Sequence, residues 1–138
     1  MIAAFALFLT ACSSGSSQGA KDSLIIASSA DAVTFDIQNT NDQATTRIAR
    51  QIYETLIKQN EKLELEPGLA ESWTAIDDTT YEFKLRKDVK FHNGEAFTAK
   101  DVAYTMNRAA ASEQIGHIVG AVDPAKVKIV DDHTIQIG

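Results

Sequence analysis

Three histidines, two aspartate pairs and one cysteine are the residues of this 138-residue chain with the chemical potential to act on a ligand. A metal centre needs several His, Cys or carboxylate ligands at compact spacing. His92, His117 and His133 are too far apart in sequence to form such a box, so no metal is expected. Asp77-Asp78 and Asp131-Asp132 could pair an acid with a base, but both sit among turn-forming residues. Turn formation accounts for them without general acid–base chemistry. The sequence holds no glycine-rich phosphate loop, no HExxH and no GxSxG. No Ser-His-acid set can be argued from the spacing. No catalytic residue and no cofactor are therefore expected, and the chain reads as a non-enzyme. Trp73 could stack on a ligand, yet its neighbours read as strand, which makes it a core aromatic. The single Cys12 can form neither an internal disulfide nor a cysteine cluster.

The elements that must position these residues belong to one domain, since 138 residues are too few for two sizeable ones. Composition is 44% hydrophobic and 23% charged, which is ordinary for a globular protein. The net charge of −6 argues against a nucleic-acid partner and against a purely electrostatic membrane anchor.

Leu24-Ile25-Ile26-Ala27-Ser28 is a short apolar run and predicts a buried strand. Residues 31–41 are polar and aperiodic, hence a loop. Ile48, Ile52 and Leu56 recur at spacing four and predict a helix from Gln43 to Ile57, capped by Asn41 or Asp42. Residues 61–66 alternate apolar and charged before Pro67-Gly68, as a short edge strand would. Trp73–Ile76 and Tyr81–Leu85 predict a hairpin around Asp77-Asp78-Thr79-Thr80, with Tyr81, Phe83 and Leu85 on its core face. Asn93-Gly94 marks a tight turn. Thr98 then caps a helix from Ala99 to about Ala111, with Asp101 at its third position and a Phe97–Val102 staple. Its inward residues are expected to be Val102, Ala103, Met106 and Ala110. Residues 127–130 and 134–137 predict a second hairpin.

At the other end, residues 1–11 form an uncharged apolar run, too short to span a bilayer. It closes in Leu9-Thr10-Ala11-Cys12 and is followed by a Ser/Gly-rich stretch. This order resembles the lipobox of bacterial lipoproteins. The resemblance implies a signal peptide over 1–11, lipid on Cys12, and a flexible tether over 12–23. The alternative is a buried N-terminal strand or helix with an incidental cysteine.

Five further motifs occur in a fixed order: Tyr53-Glu54-Thr55-Leu56, Pro67-Gly68-Leu69-Ala70-Glu71-Ser72-Trp73, Phe83-Lys84-Leu85-Arg86, Phe91-His92-Asn93-Gly94 and Thr98-Ala99-Lys100-Asp101-Val102. Together they resemble the opening of the family-5 extracytoplasmic solute-binding proteins, the oligopeptide, dipeptide and nickel receptors of ABC importers. One departure is Phe35-Asp36-Ile37, where the family often has Leu-Asp-Pro.

The resemblance implies an α+β fold: the N-terminal part of the first lobe of a bilobal class II binding protein, over residues 24–138, with short antiparallel hairpins and two main helices. It implies a monomeric, lipid-anchored receptor outside the membrane, with a peptide ligand and permease and ATPase partners. It maps ligand contact onto Asp31, Ala32 and Val33, whose backbone could pair with peptide main chain; the alternative there is an ordinary surface loop. The same motifs would suit a nickel-chelate or other small-solute receptor, or a surface lipoprotein with no transport role. If the second lobe is missing, apolar edges near Ile135 and Ile137 should be uncovered, stability should be marginal and ligand binding weak.

Overall fold

The computed structural model describes residues 23–138. The apolar leader, Cys12 and most of the Ser/Gly tether lie outside the described residues. The elements run α1 (Gln43–Ala49), β1 (Ile57–Gln59), β2 (Leu65–Pro67), β3 (Ala70–Ala75), β4 (Tyr81–Leu85), α2 (Ala99–Ala110), a 3-10 turn (Pro124–Lys126), β5 (Lys128–Asp131) and β6 (Thr134–Ile137). The class is α+β, as expected.

β1 and β2 form a two-stranded antiparallel ribbon. The other four strands form an antiparallel sheet in the order β3-β4-β6-β5. Both expected hairpins are present, and the pairing of β4 with β6 joins them: Phe83 lies opposite Ile135, and Tyr81 opposite Ile137. Asp77 stabilises the first hairpin's turn by accepting the Thr79 amide at 2.8 Å. Asp131 does the same for the second, accepting the His133 amide at 2.8 Å. Both aspartate pairs contribute to turns, as their sequence context indicates.

α2 begins where the capping residues require. The Thr98 amide donates to Asp101 Oδ2 at 2.7 Å and the Thr98 hydroxyl to the same oxygen at 3.0 Å. Phe97 and Val102 are both buried and belong to one core with Ala70, Leu85, Ala99, Ile135 and Ile137. That core lies between α2 and the sheet. The Ala99 amide donates to the Asp132 carbonyl at 2.9 Å, which fixes the start of α2 against the β5–β6 turn. Ahead of α2, Gly94 closes the expected turn with φ +91°, a conformation that favours glycine.

Five expectations give way. Leu24–Ser28 forms no strand: Leu24, Ile25 and Ile26 are 84%, 92% and 74% exposed, and no described segment pairs with them. α1 stops at Ala49 instead of continuing to Ile57. The amides of Gln51 and Ile52 turn back onto the carbonyls of Ile48 and Ala49, and Ile57 instead enters the ribbon with Pro67. Leu56 still packs against the core, but from the bend before β1. Trp73 is half-buried and outside the core, because β3 is an edge strand of the sheet. Along α2 it is Ala109, not Ala110, that is buried. Ile135 and Ile137 are buried rather than uncovered, because β6 is an interior strand under α2.

Candidate functional site

The loop from Asp31 to Asn39 leads into α1 and carries the expected ligand contacts. Asp31 is exposed, Ala32 half-buried and Val33 exposed. The Val33 amide donates to Thr45 Oγ1 at 3.0 Å, so this backbone donor already has a partner inside the protein. Thr45 is itself buried, which anchors the loop to α1. No described residue hydrogen-bonds the backbone groups of Asp31 or Ala32.

Beyond Val33 the loop is bound to two further elements. The Tyr53 hydroxyl donates to the Phe35 carbonyl at 2.9 Å. Arg108, in the last turn of α2, donates from Nη1 to Asp36 Oδ1 at 2.8 Å and to Gln38 Oε1 at 2.9 Å. Its Nη2 donates to Asp36 Oδ2. Gln38 Nε2 donates to the Thr105 carbonyl at 3.0 Å, and the Ser112 hydroxyl donates to the Gln38 carbonyl.

The Arg108 hydrogen bonds hold the Asp36 carboxyl below its ordinary value of 3.8, and Asp36 holds the guanidinium above its own. A depressed carboxyl stabilises the folded state fully above the unfolded pKa and loses that effect as pH falls through the lower folded value. Order in the loop is therefore expected to decline on acidification below that ordinary value, more steeply than in an Asp36→Asn variant. Amide exchange followed from neutral to acidic pH checks this; parallel profiles for the two proteins would contradict it.

Between this loop and α2 lies an open groove of about 670 Å³. Ile52, Tyr53, Phe91 and Tyr104 present exposed apolar or aromatic surface along it. Lys90 and Arg108 add positive charge, and Asp36, Glu54 and Asp101 negative charge. Such walls accept apolar side chains with a few polar contacts. His92 reaches this groove, His117 is exposed elsewhere, and His133 lies in a separate shallow crevice beside Asp131, Asp132 and Glu71. The three histidines do not converge. Among the described residues, no three His, Cys, Asp or Glu side chains are grouped to hold a metal ion. The Asp36–Arg108–Gln38 network is not legible in the sequence, because 70 residues or more separate its two halves.

Residues 64–138 match a family model described as bacterial extracellular solute-binding proteins, family 5, middle. The oligopeptide-binding protein AppA of Bacillus subtilis (strain 168) is 37% identical over 112 residues, covering 72% of this chain and 21% of that protein. The glutathione-binding protein GsiB of Escherichia coli (strain K12) is 33% identical over 122 residues, covering 80% and 23%. The solved structure of Listeria monocytogenes OppA bound to peptide superposes with a TM-score of 0.66 at 29% identity, covering 80% of this chain and 25% of that one. The chain thus spans about a fifth to a quarter of the length of these relatives.

Proposed function

The chain belongs to the family-5 bacterial extracellular solute-binding proteins, and on that premise we propose that it is the ligand-capturing part of an ABC importer receptor for peptides. The observation that carries this reading is the family match across the sheet and α2, joined to relatives whose names specify oligopeptides and glutathione. In this reading the chain delivers its ligand to a permease and its ATPase, acts as a monomer and has no catalytic activity. Asp31, Ala32 and Val33 supply backbone to the ligand's main chain, and the apolar groove offers adjacent surface for side chains. Cys12 carries lipid and holds the domain at the outer face of the membrane.

A second reading is a receptor for a nickel chelate or another small solute. It is favoured by the width of the family, whose solved members include NikZ from Campylobacter jejuni in complex with Ni(L-His).

One set of titrations separates these readings. The chain is mixed with trialanine, and separately with nickel and L-histidine, and amide exchange is followed along residues 31–39. Because the contacts lie on one loop, peptide affinity is expected in the millimolar range, roughly 4 kcal/mol of binding free energy. Slower exchange at Asp31–Val33 with trialanine supports the peptide reading. A response to the nickel chelate alone supports the second, and no response to either sinks both. Incorporation of labelled palmitate in bacterial cells, abolished by Cys12→Ser, is the corresponding result for the anchor.

A further inference from the structure

Three elements hold the 31–39 loop, and the contact with α2 differs in kind from the other two. α1 makes no extensive contact with α2 or with any strand. The placement of the loop relative to α2 therefore depends on side chains. Gln38 is only 8% exposed, an unusual burial for an uncharged polar residue in a loop. All three of its polar side-chain and carbonyl contacts go to α2 or the turn just after it: Arg108, Thr105 and Ser112. Arg108 engages both carboxylate oxygens of Asp36 and the Gln38 amide oxygen together. Only a planar guanidinium with several donors can do this; a lysine ammonium supplies charge without the fork.

We propose that Arg108 is a positioning residue which, through Asp36 and Gln38, sets the placement of the 31–39 loop on α2 and so the geometry in which Asp31, Ala32 and Val33 meet a ligand. The ligand part of this inference rests on the receptor reading above; the loop part does not. An exposed ion pair contributes little to global stability, and the pair here is about 40% exposed on the arginine side. The effect should therefore be local. Asp36 also accepts from the Gln38 amide at 3.3 Å and from Asn39 Nδ2 at 3.3 Å, so its placement determines the rest of the loop. Thr45 and Tyr53 bond the loop to α1 and to the chain just after it, and neither of these bonds is made to α2.

The test is amide hydrogen exchange on the whole 138-residue chain, comparing wild type with Arg108→Ala, Arg108→Lys, Asp36→Asn and the Arg108→Ala/Asp36→Asn double variant. The reporters are the Val33 and Asn39 amides, hydrogen-bonded to Thr45 Oγ1 and the Asp36 carbonyl. Protection at both should fall on the order of tenfold in Arg108→Ala while Leu85 and mid-α2 amides keep theirs. Lysine should fail to restore it, and the double variant should be no worse than Arg108→Ala. Unchanged protection at Val33 and Asn39, full rescue by lysine, or an equal loss at Leu85 each overturns the proposal. With millimolar trialanine present, wild type should gain protection at Asp31–Val33 and Arg108→Ala should not. A wild type that gains none refutes the ligand-facing role of the loop, while the Val33 and Asn39 comparison still decides the role of Arg108.

Discussion

Replacing Leu85 with alanine is expected to lower the unfolding free energy by about 3 kcal/mol, within the range found when large core residues are truncated. Leu85 is 1% exposed, among the largest fully buried side chains of the described residues. It ends β4, the strand that pairs with both β3 and β6. It belongs to one buried cluster with Ala70, Phe97, Val102 and Ile135, residues contributed by the sheet, the segment before α2 and α2 itself. Truncation leaves a cavity among parts whose backbones are already fixed. The Leu85 amide donates to the His133 carbonyl at 2.8 Å, and the next amide, Arg86, to the Leu69 carbonyl at 2.9 Å. The walls therefore cannot close easily, so the cavity adds to the loss of buried contact. A domain of this size has about 5–15 kcal/mol in total, so the variant should melt many degrees lower. Tyr81 starts the same face of the same strand but is 47% exposed; its truncation should cost less than half as much. Urea unfolding of both variants is the measurement. A Leu85→Ala loss below about 1 kcal/mol, or equal losses at the two positions, would show that the core does not lie where the structure puts it.

The contrast between Leu85 and Tyr81 also marks what the sequence can tell. Alternation in Tyr81–Leu85 identifies the strand and the face that turns inward, because both are local properties. How deep each residue lies depends on what covers it, and the core takes in Leu85 and, at its edge, Phe83, but not Tyr81. The same limit explains Ile135 and Ile137. Nothing local to them shows which strands will flank them, and β6 is inserted between β4 and β5. The spacing of Ile48, Ile52 and Leu56 is helical, yet a strand partner for Ile57 overrides it. Local capping chemistry is readable at Thr98 and Asp101, where donor and acceptor are three residues apart. The candidate site is legible only as a loop with backbone to offer. Asp36, Gln38 and Arg108, which tie that loop down, show no periodicity and no shared motif. Their association is set by the path of the whole chain between them.

Gly68→Ala is the second large effect expected, and its origin is backbone rather than core. Gly68 is buried, and its φ is not in the left-handed region, so conformational freedom is not what the position requires. A Cβ there would lie 2.3 Å from the Thr55 carbonyl oxygen and 2.9 Å from that of Leu56. Those oxygens cannot withdraw cheaply. The Thr55 carbonyl accepts the Leu69 amide at 2.9 Å, and the Leu56 carbonyl accepts the amides of Gly68 and Ala70 at 3.2 and 3.0 Å. Relieving the clash means separating residues 55–56 from 68–70 and weakening these bonds, each contributing about 1 kcal/mol. With the strain of overpacking, a total loss of about 3 kcal/mol is expected. The consequence extends to function, because the 55–56 crossing joins the segment bearing α1 and Tyr53 to the sheet. Loosening it should weaken the Tyr53 hydrogen bond to Phe35 and, with it, one side of the 31–39 loop. Gly94 is the informative control. It has φ +91° and nothing within 4 Å of the place a Cβ would take, so alanine there meets backbone strain alone, worth about 1 kcal/mol. Thermal melts of the two variants, with amide exchange at Leu69 and Ala70, distinguish the two causes. If Gly68→Ala melts within a degree or two of wild type and keeps protection at Leu69, the close approach of the two segments is not a constraint on this fold, and the N-terminal segment must be held by Asp36 and Arg108 instead.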